Sequence, residues 1–422
     1  MADVTLPIAQ LQIGHYIKLP LSWKSHPFLR SSFVIKNLEQ IQTLRSIGFT
    51  EIVVDPDKST TEVILLEPEP EVATEPTPEL DDPAVVANKA SQQQMRRAIR
   101  TAERAFTSSI SPLRDSLTQL NLKPDEGLGA VADLIRHAAT HLTSQDGPVG
   151  LQLVRAVQQG DPLLLHSLNV AFIAMLIAKE AGWSPLEIED AGLAGLTHDI
   201  GELKIPIQIS RKRTELTKPE INFLQMHVQY GFEQLTTLGA FSSKIRDVAY
   251  QHHECLDGSG YPKGVKGDQL SALTRLISVV DFYDENLHPR NALLTALPNQ
   301  VMAKLYKRAG KQLDNTFIQL LIKVMGIYPP GCMVRLSDDN VALVMTSDPT
   351  APLKPCVLPF IRGAVQEGVD LLNLRNATLS IVSAVDPTEL TSQQRDFFNL
   401  GKRYCYYFSS YIPPILLPDN PT

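Results

Sequence analysis

The chain is poor in cysteine. Its 422 residues include four, Cys255, Cys332, Cys356 and Cys405, and none falls in a C-x-x-C pair. That argues against a thiolate zinc finger and against a disulfide-stapled scaffold, and reduced thiols in a bacterial-type cytoplasm are the expectation. Positive charge is also short: 39 Lys and Arg against 46 Asp and Glu leave a net charge of -7. A nucleic acid polymer usually meets a basic face, so none is expected as a partner, although a small anion held by local charge or metal remains open. Nor is there a clean membrane span. The most apolar stretch, LLLHSLNVAFIAMLIA at 163–178, carries His, Ser and Asn and reads as a buried helix. The opening MADVTLPIAQ has no basic segment followed by an apolar one, so no signal peptide is expected. No internal repeat is evident.

What is present divides by composition. Residues 1–66 read as a small α+β module: LQIGHYIKLP and EIVVDP have strand character, and NLEQIQTLRSIGF between them has helical spacing ending at a glycine. EPEPEVATEPTPELDDP, 67–83, alternates Pro with acid, which removes backbone donors and repels itself, so it reads as an extended linker. Connecting helices are expected over 84–145 and a helical domain over 146–328. Within it, Ser184 and Glu187 form a capping-box pattern with Pro185 at the first helical position. KPEINFLQMHVQYGFEQLTTL reads as one helix, with others at SKIRDVAYQHHECL, LSALTRLISVVDFYDE, QVMAKLYKRAG and DNTFIQLLIKVMG. CMVRLSDDNVALVMTS reads as a β-hairpin opening a strand-containing C-terminal appendage, 329–422. The fold class expected is therefore mainly α: a helical-bundle core, a small α+β domain before it and a small strand-containing appendage after it.

Five of the ten histidines, His166, His198, His227, His252 and His253, lie in or at the end of these helices. His198 adjoins Asp199, and His252 adjoins His253. Adjacent helical residues point about 100° apart, so neighbours in such a pair face different ions, and an aspartate with two oxygens suits the position between them. Asp281 and Asp284 share one helix face at i, i+3. A single buried histidine is ordinarily a core residue with one satisfied hydrogen bond. Five of them with two aspartates on apolar helices are costly to bury without metal. Imidazole and carboxylate are common transition-metal ligands, and a two-metal hydrolytic site, with ions about 3.5–4 Å apart, fits the set. His15, His26, His137, His141 and His288 lack such company and read as structural or surface residues.

The ordered set His166, His198-Asp199-Ile-Gly, His227, HHECLDGSGYP and Asp281 resembles the HD-GYP family of HD-type metal-dependent phosphohydrolases. The likeness covers about 146–328 and runs on into LLIKVMGIYPPGCMVRLSD, and LPLSWKSHPFLRSSFVI and VVDPDKS resemble an uncharacterised module found in front of such domains. HD alone is unspecific; HD, HH and GYP in this order are not. The resemblance implies an HD-type helical bundle that hydrolyses cyclic di-GMP through a metal-bridging hydroxide, with two divalent ions, iron or manganese. Carried over by position, one ion takes His166, His198, Asp199 and Asp281, and the other Asp199, His227, His252 and His253. Tyr261-Pro262 then rims the pocket or meets a signalling partner, and Glu254 and Asp257 hold imidazole N–H groups or the loop backbone. Asp199 and Glu202 are the candidate catalytic side chains; Arg290, Lys204, Gly260, Tyr261 and Pro262 are the candidate substrate contacts.

The chain departs from the family pattern in three places. Where the family reads His-Asp-x-Gly-Lys, this sequence has Glu202. Pro162 stands where relatives with a third metal carry Glu, so two ions are expected. The segment after Asp284 is shortened, with Arg290 the remaining candidate for gripping phosphate. These departures set an alternative beside the enzyme: a degenerate cyclic-dinucleotide receptor or signalling scaffold.

Overall fold

A computed structural model describes residues 3–8, 11–19, 32–36, 40, 41, 44, 51–61, scattered positions from 96 to 107, 124–144, 149–154, 161–289 save 213, 296–399 save 365, and 405–409. The linker 67–83 and Arg290 lie outside the described residues.

The N-terminal module is a four-stranded antiparallel sheet in the order β1 (Val4–Pro7), β4 (Glu51–Val54), β2 (Tyr16–Lys18), β3 (Ser32–Val34). Its two expected strands are β2 and β4, and positions 40, 41 and 44 between them are helical.

The helical domain begins with α1 (Pro124–Thr143) and strand β5 (Gly150–Val154), then packs around α2 (Pro162–Glu180). Asp161 caps α2 by accepting from the Leu163 amide, and every residue from Leu164 to Ala178 is buried. A helix apolar on all faces belongs in a core. By length and hydropathy α2 would also pass for a membrane span, but 83% of that window is buried inside the protein. Helix α3 (Pro185–Thr197) starts at the Ser184–Glu187 capping box, with Pro185 at its first turn. After the 3₁₀ turn Ile200–Lys204 come α4 (Ile207–Ser210), α5 (Lys218–Gln225), α6 (His227–Leu238), α7 (Ser243–Gln251), α8 (Ala272–Leu287), α9 (Pro298–Arg308) and α10 (Asn315–Met325).

The single helix expected from KPEINFLQMHVQYGFEQLTTL is two, α5 and α6, broken at Met226. The Leu224 carbonyl, which an unbroken helix would give to the amide four residues on, accepts instead from the His227 ring at 2.8 Å.

The expected hairpin is present as β6 (Met333–Leu336) and β7 (Val341–Thr346), with Asp339 in the left-handed region at φ 67°. It does not stand alone. Together with β8 (Cys356–Pro359), β9 (Leu372–Asn373), β10 (Ile381–Ala384) and β11 (Cys405–Ser409), and α11 (Ser392–Phe398) between the last two, it joins β5 in one seven-stranded sheet. Strand β11 pairs with β5 over five residues, Cys405↔Val154 to Ser409↔Gly150, so strands from either side of the helical domain share an edge. Tyr407 and Phe408 of β11 stand edge-on to Phe172 of α2, with centroids at 5.0 and 5.4 Å.

Candidate metal centre

Close backbone approaches bring the donors together. A Cβ on Gly195 of α3 would fall 2.7 Å from the Ala171 Cα of α2, so these helices meet at a contact that admits no side chain. His166, in the first turns of α2, and His198, capping α3, consequently approach with Nε2 atoms 3.2 Å apart. A Cβ on Gly201 would lie 2.0 Å from the His227 carbonyl oxygen, which seats the turn after Asp199 on the start of α6. His252 caps α7, and its Nε2 is 3.3 Å from that of His227. Asp281 enters from α8.

All seven residues converge. Asp199 lies between two histidine pairs: Oδ2 is 3.6 Å from His166 Nε2 and 3.7 Å from His198 Nε2, while Oδ1 is 3.3 Å from both His227 Nε2 and His252 Nε2. Asp281 Oδ1 is 3.1 Å from His166 Nε2 and 3.6 Å from His198 Nε2, and Oδ2 is 3.8 Å from His253 Nδ1. Asp199, His227, His252 and His253 form one group with a ligand atom each within 4.8 Å, and His166, His198 and Asp199 form another.

The outer faces of the rings are tethered. His198 Nδ1 donates to Gly195 O at 2.8 Å, His227 Nδ1 to Leu224 O at 2.8 Å and His252 Nδ1 to Val248 O at 3.1 Å. A carbonyl only accepts, so the proton sits on Nδ1 and the Nε2 lone pair faces the centre. His166 Nδ1 donates to Asp284 Oδ2 at 2.8 Å, and Asn169 Nδ2 donates to Asp284 Oδ1 at 2.7 Å.

Burial disfavours charge on His166, but Asp281 and Asp284 outweigh it and raise its pKa well above the usual imidazole range. Burial is likewise overcome at His198, by Asp199 and Asp281. At His252 burial prevails over the pull of Asp199 and lowers the pKa; at His253 burial and the neighbouring His252 lower it strongly. Asp199 and Asp281 stay ionised against their burial, held well below the carboxylate range by the surrounding imidazoles. Oδ1 of each is buried without a hydrogen-bond donor among the described residues. Two such unpartnered buried acceptors are costly alone and suit a cation. The site fits metal by its donors and by these orphaned oxygens.

The HHECLDGSGYPKG loop folds back over this cluster. Glu254, buried at 2% exposure, accepts from the amides of Lys263, Gly264 and Val265, so it holds the loop backbone. Asp257 accepts from the amide and hydroxyl of Ser259 within its own turn. Positive φ falls at Gly258 and Gly264, whereas Gly260 is needed for close approach: a Cβ there would lie 2.4 Å from the His253 carbonyl oxygen. The Tyr261 ring stacks on His253 with centroids 4.7 Å apart. Its hydroxyl pKa is raised by burial and by Glu285, Asp199, Asp281 and Glu202, which places Glu202 in the electrostatic surroundings of the centre. Pro262 is exposed at the loop tip. Lys204 directs its ammonium over the Tyr230 ring, 5.8 Å from the centroid.

The sequence motifs assign no role to Asn169 or Glu285 and leave Asp284 outside the ligand set. Asn169 is three residues after His166, on the same helix face, which was the available signal. Glu285 has a ligand atom within 4.8 Å of those of His253 and Asp281.

Family models match two segments: a domain of unknown function (DUF3391) over residues 3–130 and an HD domain over 132–317. A protein of Pseudomonas aeruginosa named as a cyclic di-GMP phosphodiesterase is 28% identical over 359 residues, 84% of each chain. A 3'3'-cGAMP-specific phosphodiesterase of Vibrio cholerae is 32% identical over 186 residues, 44% of this chain and 38% of its own length. A solved structure of an HDG"Y"P protein from Bdellovibrio bacteriovorus overlaps 76% of this chain and 98% of its own at 15% identity, with a TM-score of 0.37. With the His-Asp and His-His pairs gathered at one centre under the Gly-Tyr-Pro loop, and these two segment matches in tandem, the chain carries an HD domain with DUF3391 in front of it.

Proposed function

We propose that this protein is a cytoplasmic phosphodiesterase that hydrolyses cyclic di-GMP with two divalent ions, iron or manganese, held by His166, His198, Asp199 and Asp281 on one side and by Asp199, His227, His252 and His253 on the other. The observation that carries this reading is Asp199, whose Oδ1 and Oδ2 face separate histidine pairs. Bound there, the ions supply an activated water and neutralise charge on the phosphodiester. Imidazole and carboxylate donors without thiolate suit iron or manganese.

The chain's own part is to hold. Tethered Nδ1 protons keep the Nε2 lone pairs of His198, His227 and His252 turned inward, so these rings need not change tautomer to bind. Tyr261 braces His253, and Glu254 pins the loop that carries Tyr261. We assign Arg290, Lys204 and the Gly260–Pro262 edge to the substrate phosphates and bases, and exposed Pro262 to a signalling partner at the loop tip. The Pseudomonas relative, aligned over 84% of both chains, supports cyclic di-GMP as the substrate.

Glu202 favours a second reading. It puts a carboxylate near Tyr261, where the family pattern has a lysine, and reversing a unit charge about 5 Å from an anionic substrate disfavours binding by several kcal/mol. A receptor that holds the dinucleotide without turnover would tolerate that.

The test is protein loaded anaerobically with Fe²⁺ or Mn²⁺, incubated with cyclic di-GMP and followed chromatographically. Appearance of the linear dinucleotide, with faster turnover in Glu202→Lys, is the expected result. Saturable binding with no product would replace the enzyme by the receptor, and neither binding nor product would sink both.

A further inference from the structure

Three hydrogen bonds run in series from the C-terminal sheet to the centre. The Tyr406 amide of β11 donates to Asn169 Oδ1 at 3.0 Å, Asn169 Nδ2 donates to Asp284 Oδ1 at 2.7 Å, and Asp284 Oδ2 accepts from His166 Nδ1 at 2.8 Å. Asn169 and Asp284 are both 0% exposed. The orientation of the Asn169 amide follows from its neighbours: a backbone N–H can only donate and an ionised carboxylate can only accept, so the oxygen must face Tyr406 and the nitrogen Asp284.

An apolar residue would fill this place on an otherwise apolar helix at lower desolvation cost. Asn169 instead joins a fixed backbone amide to the group that orients a metal ligand. The strand supplying that amide is anchored twice, by its ladder to β5 and by Tyr407 and Phe408 against Phe172. Phe172 is on the same helix as His166 and Asn169.

We infer that Asn169 is a positioning residue for the ion bound by His166: it clamps Asp284, which sets the His166 ring, and it takes its own setting from strand β11. The C-terminal sheet is thereby part of the frame of the metal centre. The inference rests on the metal-centre reading of the preceding subsection.

The test titrates metal-free, full-length protein with Mn²⁺ by calorimetry and compares Asn169→Leu, Asn169→Asp and the exchange Asn169→Asp with Asp284→Asn. Asn169→Leu removes both bonds, and Asn169→Asp keeps the shape but sets two carboxylates against each other. Each should weaken one of two Mn²⁺ equivalents at least about tenfold and leave the other in place. The exchange restores a complete relay: the amide introduced at position 284 accepts from His166 through its oxygen and donates through its nitrogen to the carboxylate introduced at position 169. It should recover most of the loss. Should Asn169→Leu fail to melt cooperatively, the isosteric Asn169→Asp and its rescue carry the test. Single variants that bind both equivalents as tightly as the native chain, or an exchange no better than Asn169→Asp, would overturn the positioning role alone. A native chain that binds no Mn²⁺ would overturn the metal-centre reading, and this inference with it.

Discussion

His166 and His252 both turn Nε2 toward Asp199, but they are held by different means. His252, like His198 and His227, donates Nδ1–H to a carbonyl three or four residues earlier in its own chain segment. Such a tether is local to its stretch of chain and needs no other side chain. His166 donates to Asp284, a carboxylate on another helix that is itself held by Asn169. One half of the centre therefore contains a ligand set by distant side chains, whereas the other half relies on local backbone and on the loop that carries Tyr261. Side-chain tethers can be changed by substitution without touching a ligand; backbone tethers cannot.

The largest effect should ignore this distinction. Asp199→Ala removes the carboxylate facing both histidine pairs, so both ions should be lost by elemental analysis. Turnover should fall by well over the about 100-fold typical of an outer-shell change. A variant retaining one ion at full occupancy would mean that Asp199 is not the shared ligand.

The distinction itself is tested by Asp284→Ala. It leaves all seven donors intact but frees His166 Nδ1, and one Mn²⁺ equivalent should bind about 10–100-fold more weakly while the other is unchanged. Equal weakening of both would make the two halves one mechanical unit.

The two tethers also differ in how far the sequence reveals them. The seven donors were legible because HD, HH and GYP are local patterns in a specific order, and helical spacing put Asp281 beside Asp284. The capping box at Ser184, the buried helix around His166 and the β6–β7 hairpin follow from short-range chemistry too. What joins distant segments was not legible. The Tyr406–Asn169 hydrogen bond spans 237 positions, and β5 pairs with β11 across the whole helical domain. The break at Met226 was hidden because the apolar spacing continues through it; at the break the Leu224 carbonyl is taken by the His227 ring and the Met226 amide.

On the loop side, Tyr261→Leu sharpens the contrast. The ring stacked on His253 is worth about 0.5–1.5 kcal/mol beyond its burial, so its loss should weaken one Mn²⁺ equivalent only a few-fold. A loss as large as that of Asp284→Ala would show that the second half depends on a side-chain brace as much as the first.

The smallest effect on metal should come from Glu254→Gln, one step further out. Glu254 accepts from three consecutive amides, Lys263, Gly264 and Val265, through both carboxylate oxygens. Glutamine has one acceptor oxygen, so at least one of these amides loses its partner and the amide nitrogen of the new side chain faces a donor. The expected cost is about 1–3 kcal/mol of stability, read as a lower thermal midpoint. Amide exchange over 263–265 should also speed up. Because His227 and His252 are held by backbone carbonyls close to them in sequence, Mn²⁺ affinity should stay within about twofold, which is less than the few-fold set by the Tyr261 stack. A larger loss of metal would mean that the loop clamp, and not the helical carbonyls, fixes the second half of the centre.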